Sequence, residues 1–396
     1  MTTGEHEVLM GGRDFVCISS VDWDELWQSH HDICTQLARA GNRVLFIENT
    51  GVRGLRLSDL PRLGTRFAEW NTARKTGGVL QIEERLNVIA PLVLPPVGRI
   101  NRELNRRIFL KRVAAHVRDL GFRDPVVWTY LPTDTALDLY EMLATPASRF
   151  VYYCLADFRE IARDARATAR FEQLVVERAD VVFTNREEFA ARFRAWNSNV
   201  SVQPVALNLG AFNPETAVPD PAICELPRPR IGCVAGLHEL KIDFDFIVEL
   251  ARLRPDWQWI YVGPQRSPVA RLAREPNITL IDQVPHAQLA SYIAAFDVCT
   301  VPYRRTEFMR NAVPTKIHEY LAMGKPVVST PLDFVNELAP GLVRDGGWSA
   351  SSFVAAIEAA LRDTSPRAMR TRRAAAVRET WDVRLREMSE VVAGTF

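Results

Sequence analysis

The sequence predicts an α/β protein built from two doubly wound parallel sheets in tandem. Three observations predict it. Short apolar runs alternate with longer stretches of helical period; the alternation stops once, in a proline-rich stretch; and it then restarts. Strands that are apolar along their whole length belong to sheets covered on both faces, and helices between them make the sheets parallel. A chain of 396 residues is long enough for two such domains.

The elements follow in order. Strand candidates in the first half are Phe15–Ser19, Arg43–Ile47, Leu86–Ala90, Val126–Tyr130, Phe150–Cys154, Val181–Thr184 and Val200–Gln203. Helical patterns between them include Asp24–Ala40, Asn101–Asp119, Glu160–Arg178 and Arg186–Ala195. Leu207–Pro229 has five prolines and no clear period, so it reads as a linker. The second half repeats the scheme with strands Arg230–Val234, Trp259–Val262, Ile278–Ile281, Val298–Val301 and Pro326–Ser329. Its helices are Asp243–Leu253, Ala287–Ala295 and Thr315–Met323, and a last helical stretch covers Pro366–Val392. The expected domains are residues 1–212 and 213–374.

Composition narrows the classes. The formal charge, 49 − 48 = +1, argues against a uniformly basic nucleic-acid binder. No run of about 18 apolar residues suggests a membrane span. Met1–Asp14 lacks the apolar stretch of a secretory signal, so a cytoplasmic location is expected. Six scattered cysteines without a C-x-x-C pair read as reduced core residues. The neutral total hides segregation: Arg53–Arg118 carries fourteen basic residues against five acidic ones.

Ligands of doubly wound sheets bind beyond the carboxyl ends of the strands. The segment VCTVPYRRTEFMRNAVPTKIHEYLAMGKPVVSTP, Val298–Pro331, places a strand, a loop, a helix opening at Pro314–Thr315 and a second strand in sequence. Glu319 sits mid-helix and can accept both hydroxyls of a ribose; Lys316 lies one turn earlier, where an ammonium suits a diphosphate. A surface Lys–Glu pair is the alternative reading.

The core PTKIHEYLAMGKPVVST resembles the donor-binding signature of GT-B glycosyltransferases, close to family 4 and to bacterial teichuronic-acid-type transferases. WDELWQSHHDICTQLARAGNRVLFIEN, VYYCLADF and IGCVAGLHELKIDFDFIVELARLRPDWQWIYVGP resemble other parts of these enzymes, so the likeness runs from about Phe15 to Val335. The resemblance implies two Rossmann-like domains facing across a cleft, with the final helix (375–396) crossing back to the first domain and Trp381 packing there. It implies that Glu319 binds the donor ribose, that Lys241 and Lys316 hold the diphosphate, and that the loop at Val284 reads the base. Two positions depart from the family pattern. Asn311 stands where a second acid is frequent, and Gly236 where a phosphate-binding arginine is frequent. Arg304, Arg305 or Arg310 on the adjoining loop can supply the missing charge, or form a solvated loop.

The catalytic base stays open. Asp157 ends the strand VYYCLAD and can take a proton from an acceptor hydroxyl if the enzyme inverts, or it caps the following helix. Asp134 has the same ambiguity, with the stronger capping case. If configuration is retained, the leaving phosphate can take the proton. The triplets Asp22-Trp-Asp24 and Asp243-Phe-Asp245 each precede a helix, where acids cap, so no metal site is expected. His30 and His31 are adjacent and point apart, which disfavours zinc.

The basic segment Leu92–Phe122 carries apolar residues at helical spacing, including Ile100, Leu104 and Ile108. Arg99, Arg102, Arg106, Arg107, Lys111 and Arg112 surround them. Such a helix can lie on anionic lipid, hold a lipid diphosphate, or pack on the sheet with a solvated basic face. The expectation is therefore a metal-independent glycosyltransferase. It would use a UDP- or GDP-linked sugar and no further cofactor. Its acceptor would be a cell-envelope glycan or lipid-linked molecule at the inner membrane face. The alternatives are another GT-B enzyme such as a sugar-nucleotide epimerase, a non-catalytic sugar-nucleotide-binding subunit, or a membrane-surface adaptor.

Overall fold

The computed structural model describes residues 10–24, 27–48, 50, 79–94, 98–162, 164–306, 309, 315–332, 335 and 339–396. They divide into two compact units: Met1–Pro204 with Arg384–Phe396, and Val205–Val383.

The first unit runs β1 (Asp14–Ile18), α1 (Ser29–Arg39), β2 (Arg43–Ile47), β3 (Val79–Glu83) and β4 (Leu86–Ile89). A helical run follows: α2 (Gly98–Leu104), one π-helical turn (Asn105–Phe109) and α3 (Leu110–Asp119). Then come β5 (Val126–Thr129), α4 (Asp134–Leu143), β6 (Arg149–Cys154), α5 (Phe158–Ile161), α6 (Ala165–Arg178), β7 (Val181–Thr184), α7 (Glu187–Phe193) and β8 (Val200–Val202). The sheet order is β3-β4-β2-β1-β5-β6-β7-β8, parallel except for the β3–β4 pair. Chain order reverses direction between β1 and β5, which makes their carboxyl ends the switch point. Strands β1, β5 and β7 are buried at every position, as the unbroken apolar runs require.

The second unit contains α8 (Pro221–Cys224), β9 (Arg230–Val234), α9 (Phe244–Leu253), β10 (Gln258–Val262), β11 (Ile278–Ile281), α10 (Leu289–Ala295) and β12 (Val298–Val301). It continues with α11 (Lys316–Ala322), β13 (Val327–Ser329), β14 (Val343–Asp345), α12 (Ala350–Leu361) and α13 (Pro366–Arg378). Its sheet is wholly parallel, ordered β11-β10-β9-β12-β13-β14. The last helix, α14 (Trp381–Ala393), starts in this unit and ends in the first.

Several elements differ from the sequence reading. The 207–229 stretch is no loose linker: Leu207, Phe212 and Ile223 are buried in the core of the second unit. Its prolines prevent a long regular element, while its apolar side chains still anchor it. The predicted helix Glu160–Arg178 is two helices, the second capped by Asp164, which accepts from Ala167 N–H. The predicted Asp24–Ala40 helix begins only at Ser29. Antiparallel β3 and short β14 are additional strands; each lacks an apolar run of its own and forms by pairing with a neighbour. Residues 366–393 form two helices, and Trp381 sorts with the second unit, its N–H bonded to Leu207 O at 3.0 Å. All six cysteines are free; Cys224 is exposed, unlike the other five.

Candidate active site

The second unit gathers polar residues beyond β9 and β12, which are adjacent strands. Helix α11 is short but firmly placed. Ile317, Tyr320 and Leu321 enter the core, and the Tyr320 hydroxyl accepts the Val234 N–H at the end of β9. Gly324 closes the helix at φ +70°, a left-handed conformation that glycine adopts without strain. This placement buries Glu319 to 5% exposure. Lys316 donates to both Glu319 carboxylate oxygens at 3.1 Å. The pair is therefore a largely desolvated carboxylate with one cation, which replaces the reading of a surface pair. Desolvating charges is costly, so such an arrangement does little for stability in itself.

Two neighbours register this charge pair. Burial pushes the Cys233 thiol on β9 up to about 12, and the Lys316 ammonium pulls in the opposite direction. Burial likewise raises the Tyr303 hydroxyl, and the Glu319 charge adds to the shift. Lys241 lies in the turn after β9, where its N–H bonds His238 O at 2.8 Å. Its carbonyl accepts Arg304 N–H at 2.7 Å, and Ile242 bridges to Tyr303, so the loops after β9 and β12 are stitched together. Lys241 is exposed as a residue, yet crowding around its ammonium lowers its pKa from the ordinary lysine value. Arg304 pairs with Asp243 at 3.1 Å, and Arg305 is exposed. Arg310 and Asn311 lie outside the described residues.

Gly236 has room around it: an added Cβ would meet Pro264 at 3.8 Å, an ordinary contact. Gly263, which the sequence reading passed over, does not. Its φ is +146° and an added Cβ would lie 2.3 Å from Ala235 O. The Gly263-Pro264 pair directly after β10 was the available signal. Val284 is half-buried in the loop after β11. That edge strand stands two positions from β9, about 10 Å at ordinary strand spacing.

The Asp243–Asp245 triplet resolves as a cap and an ion pair, whereas Asp22 and Asp24 do not cap α1, which begins at Ser29 behind Gln28. The Asp243 side chain accepts the N–H groups of Asp245 and Phe246 at the start of α9, and Asp245 pairs with Arg271. Among the described residues no three His, Cys, Asp or Glu side chains gather as a metal site.

In the first unit, Asp157 lies past the carboxyl end of β6, and its contacts are those of a cap. It accepts the Arg159 N–H at 3.1 Å, forms an ion pair with the Arg159 guanidinium, and lies 3.4 Å from Arg192. Burial alone would raise its pKa, but the hydrogen bonds and charge of Arg159, with Arg192 beside it, hold it below the usual carboxylate range. A carboxylate so stabilised in its ionised form is a weak proton acceptor. Arg192 also reaches buried Glu172 at 2.8 Å, which receives the Tyr152 hydroxyl. At α4 the cap is Thr133, which accepts Ala136 N–H; Asp134, expected to cap, is the first helical residue and is buried.

His30 and His31 are structural neighbours, not a metal pair. His30 is buried, with Nε2 3.0 Å from the Ser20 hydroxyl, and burial brings its pKa to about 3. His31 accepts the Gln28 N–H and packs among Trp23, Trp27 and Phe46.

The basic segment is partly neutralised. Arg102 makes a two-pronged ion pair with buried Asp138 at 3.0 and 2.8 Å. Arg106 lies 3.9 Å from Asp138 and 3.5 Å from Glu141. Arg107 pairs with Glu103 on its own helix. Arg102 and Arg106 thus tie the segment to α4, which corrects their expected place on an outward basic face. Arg99, Lys111 and Arg112 are exposed. The basic residues between Arg53 and Lys75 lie outside the described residues.

The sheets and their connections define the class: this is a GT-B fold. Sucrose-phosphate synthase from Thermosynechococcus elongatus superposes with a TM-score of 0.66 at 17% identity, over 96% of this chain and 98% of that one. Anabaena HepE in complex with UDP-glucose superposes at 0.63 and 14% identity, over 97% of this chain and 100% of that one. Within the fold, residues 228–363 match the family described as glycosyl transferases group 1. A Bacillus subtilis glycosyltransferase named for teichuronic acid biosynthesis, TuaH, is 26% identical over 201 residues. That match covers 48% of this chain and only half of the relative's length, 50%.

Proposed function

We propose that the chain is a glycosyltransferase whose second unit binds a nucleotide-diphosphate sugar, UDP- or GDP-linked. The first unit then binds a cell-envelope glycan or lipid-linked acceptor. One observation carries the reading: the desolvated Glu319 carboxylate, held by Lys316 beyond β12, inside the part of the chain that matches glycosyl transferases group 1. The UDP-glucose complex of HepE, which has the same fold, supports a donor of this class.

In this reading Glu319 accepts the ribose hydroxyls, while Lys316 and Lys241 stabilise the diphosphate. Arg305 sits on the loop that would meet the donor sugar, and the backbone at Gly236 would lie against the phosphates. The base lies over the loop at Val284. Charge grows on the leaving phosphate as the glycosidic bond to C1 breaks, and the cationic side chains lower the energy of that state without a metal. Because Asp157 is occupied as a cap, we assign the acceptor proton to the departing phosphate, which fits retention of configuration. The cytoplasmic face of the membrane is the setting we propose.

Calorimetry with UDP and GDP tests the donor site. Wild type should bind one of them and Glu319→Ala should lose it without unfolding; unchanged affinity in a folded variant would overturn the assignment. Transfer of a radiolabelled sugar from the donor to a lipid or glycan extract separates a transferase from a binding subunit or an epimerase.

A further inference from the structure

We propose that the outer face of the helical run Gly98–Asp119 docks on an anionic lipid surface through a row of exposed aliphatic residues flanked by cations. The proposal rests on the reading of a membrane-side acceptor and names the surface that would serve it.

Ile100, Leu104 and Ile108 are exposed to 77%, 39% and 43%. They follow one another at four-residue steps. Such steps drift around an α-helix, because four residues exceed one 3.6-residue turn. The π-helical turn at Asn105–Phe109 has a wider period and counters the drift, so the three side chains stay in one row. The opposite face is fixed in the unit: Leu110, Val113, Ala114 and Val117 are buried. Asn105 clamps the Leu94 N–H and C=O at 2.8 and 2.9 Å. The row is therefore held rigidly outward.

Charge selects the partner. Residues 98–119 contain seven basic side chains and two acidic ones, Glu103 and Asp119. Arg102 and Arg106 are taken up by α4 and Arg107 pairs with Glu103, while exposed Arg99 and Lys111 stand beside the aliphatic row. A second copy of the chain, meeting this face symmetrically, would set one basic surface against another. An anionic bilayer offers both complements: headgroups for the cations and an acyl boundary for the aliphatic row.

The test is co-sedimentation with vesicles of phosphatidylcholine alone or mixed with phosphatidylglycerol, using the full chain. Wild type should sediment with the mixed vesicles only, and less at high salt. Ile100→Ser/Leu104→Ser/Ile108→Ser should weaken binding about tenfold or more, as should Arg99→Glu/Lys111→Glu. All five positions are exposed, so the melting temperature should hold. Undiminished binding by the folded aliphatic variant would overturn the proposal, as would absence of wild-type binding. A wild-type dimer that this variant converts to monomer would assign the face to self-association instead. UDP or GDP binding is measured in parallel: vesicle binding lost with nucleotide binding kept removes the docking surface alone, whereas absent nucleotide binding removes the donor site.

Discussion

Glu319 and Asp157 are both acids beyond the carboxyl end of a parallel strand, one in each unit, and they are held in opposite ways. Glu319 is buried on a helix fastened to β9 by Tyr320, with Lys316 on both its oxygens. Asp157 receives a helix N–H, the Arg159 guanidinium and Arg192. A single flexible ammonium can share its carboxylate with a ligand's hydroxyls. A cap and two guanidiniums leave little of a carboxylate to offer. A carboxylate at like topological places is therefore left able to accept further hydrogen bonds in one unit and is used up by local structure in the other.

The sharpest way to break this contrast is Glu319→Ala. Loss of its charge-assisted hydrogen bonds, about 1.5–3 kcal/mol each, should lower UDP or GDP affinity about a hundredfold in calorimetry. Asp157→Ala should act on stability instead, costing about 1–2 kcal/mol in urea unfolding while turnover stays near wild type. Turnover lost at unchanged stability would return Asp157 to the role of base. The pH dependence carries the same distinction. The folded pKa of Asp157 lies below the unfolded value, so its contribution is present above about pH 4 and disappears as pH falls through the lowered folded value. Asp157→Asn should flatten that part of the acid-unfolding curve. Buried Glu172 has a raised pKa, chiefly from burial, so its term runs the other way: stability present at low pH is lost as pH rises through the folded value.

A smaller effect separates phosphate from nucleoside. Lys241→Ala should weaken UDP about tenfold in calorimetry and leave uridine binding unchanged. The smallest belongs to Gly236→Ala. With Pro264 at 3.8 Å from the added carbon, stability should move by no more than about 0.5 kcal/mol in thermal unfolding.

Much of the fold was legible because buried parallel strands write themselves as apolar runs. Phe15–Ser19, Arg43–Ile47 and Arg230–Val234 were all visible that way, within a residue of β1, β2 and β9. β3 was not, since its exposed edge position leaves no such run. Lys316 and Glu319 were visible from helical spacing, but spacing is the same for a surface pair and a buried one. Arg102 and Arg106 could not be separated from Arg99 by sequence, because their partners Asp138 and Glu141 lie more than thirty residues away.

The sequence alone determined the two-fold alternation of strands and helices, the place of the polar loops at strand ends, and the segregation of basic residues into the first unit. These depend on local period and composition. The tertiary structure decided which charges are already satisfied, which acid is a cap, that Leu207–Pro229 packs into a core, and that Ile100, Leu104 and Ile108 face outward. Each of these depends on contacts between residues far apart in the chain, where desolvation and pairing set the energy and no local pattern records them.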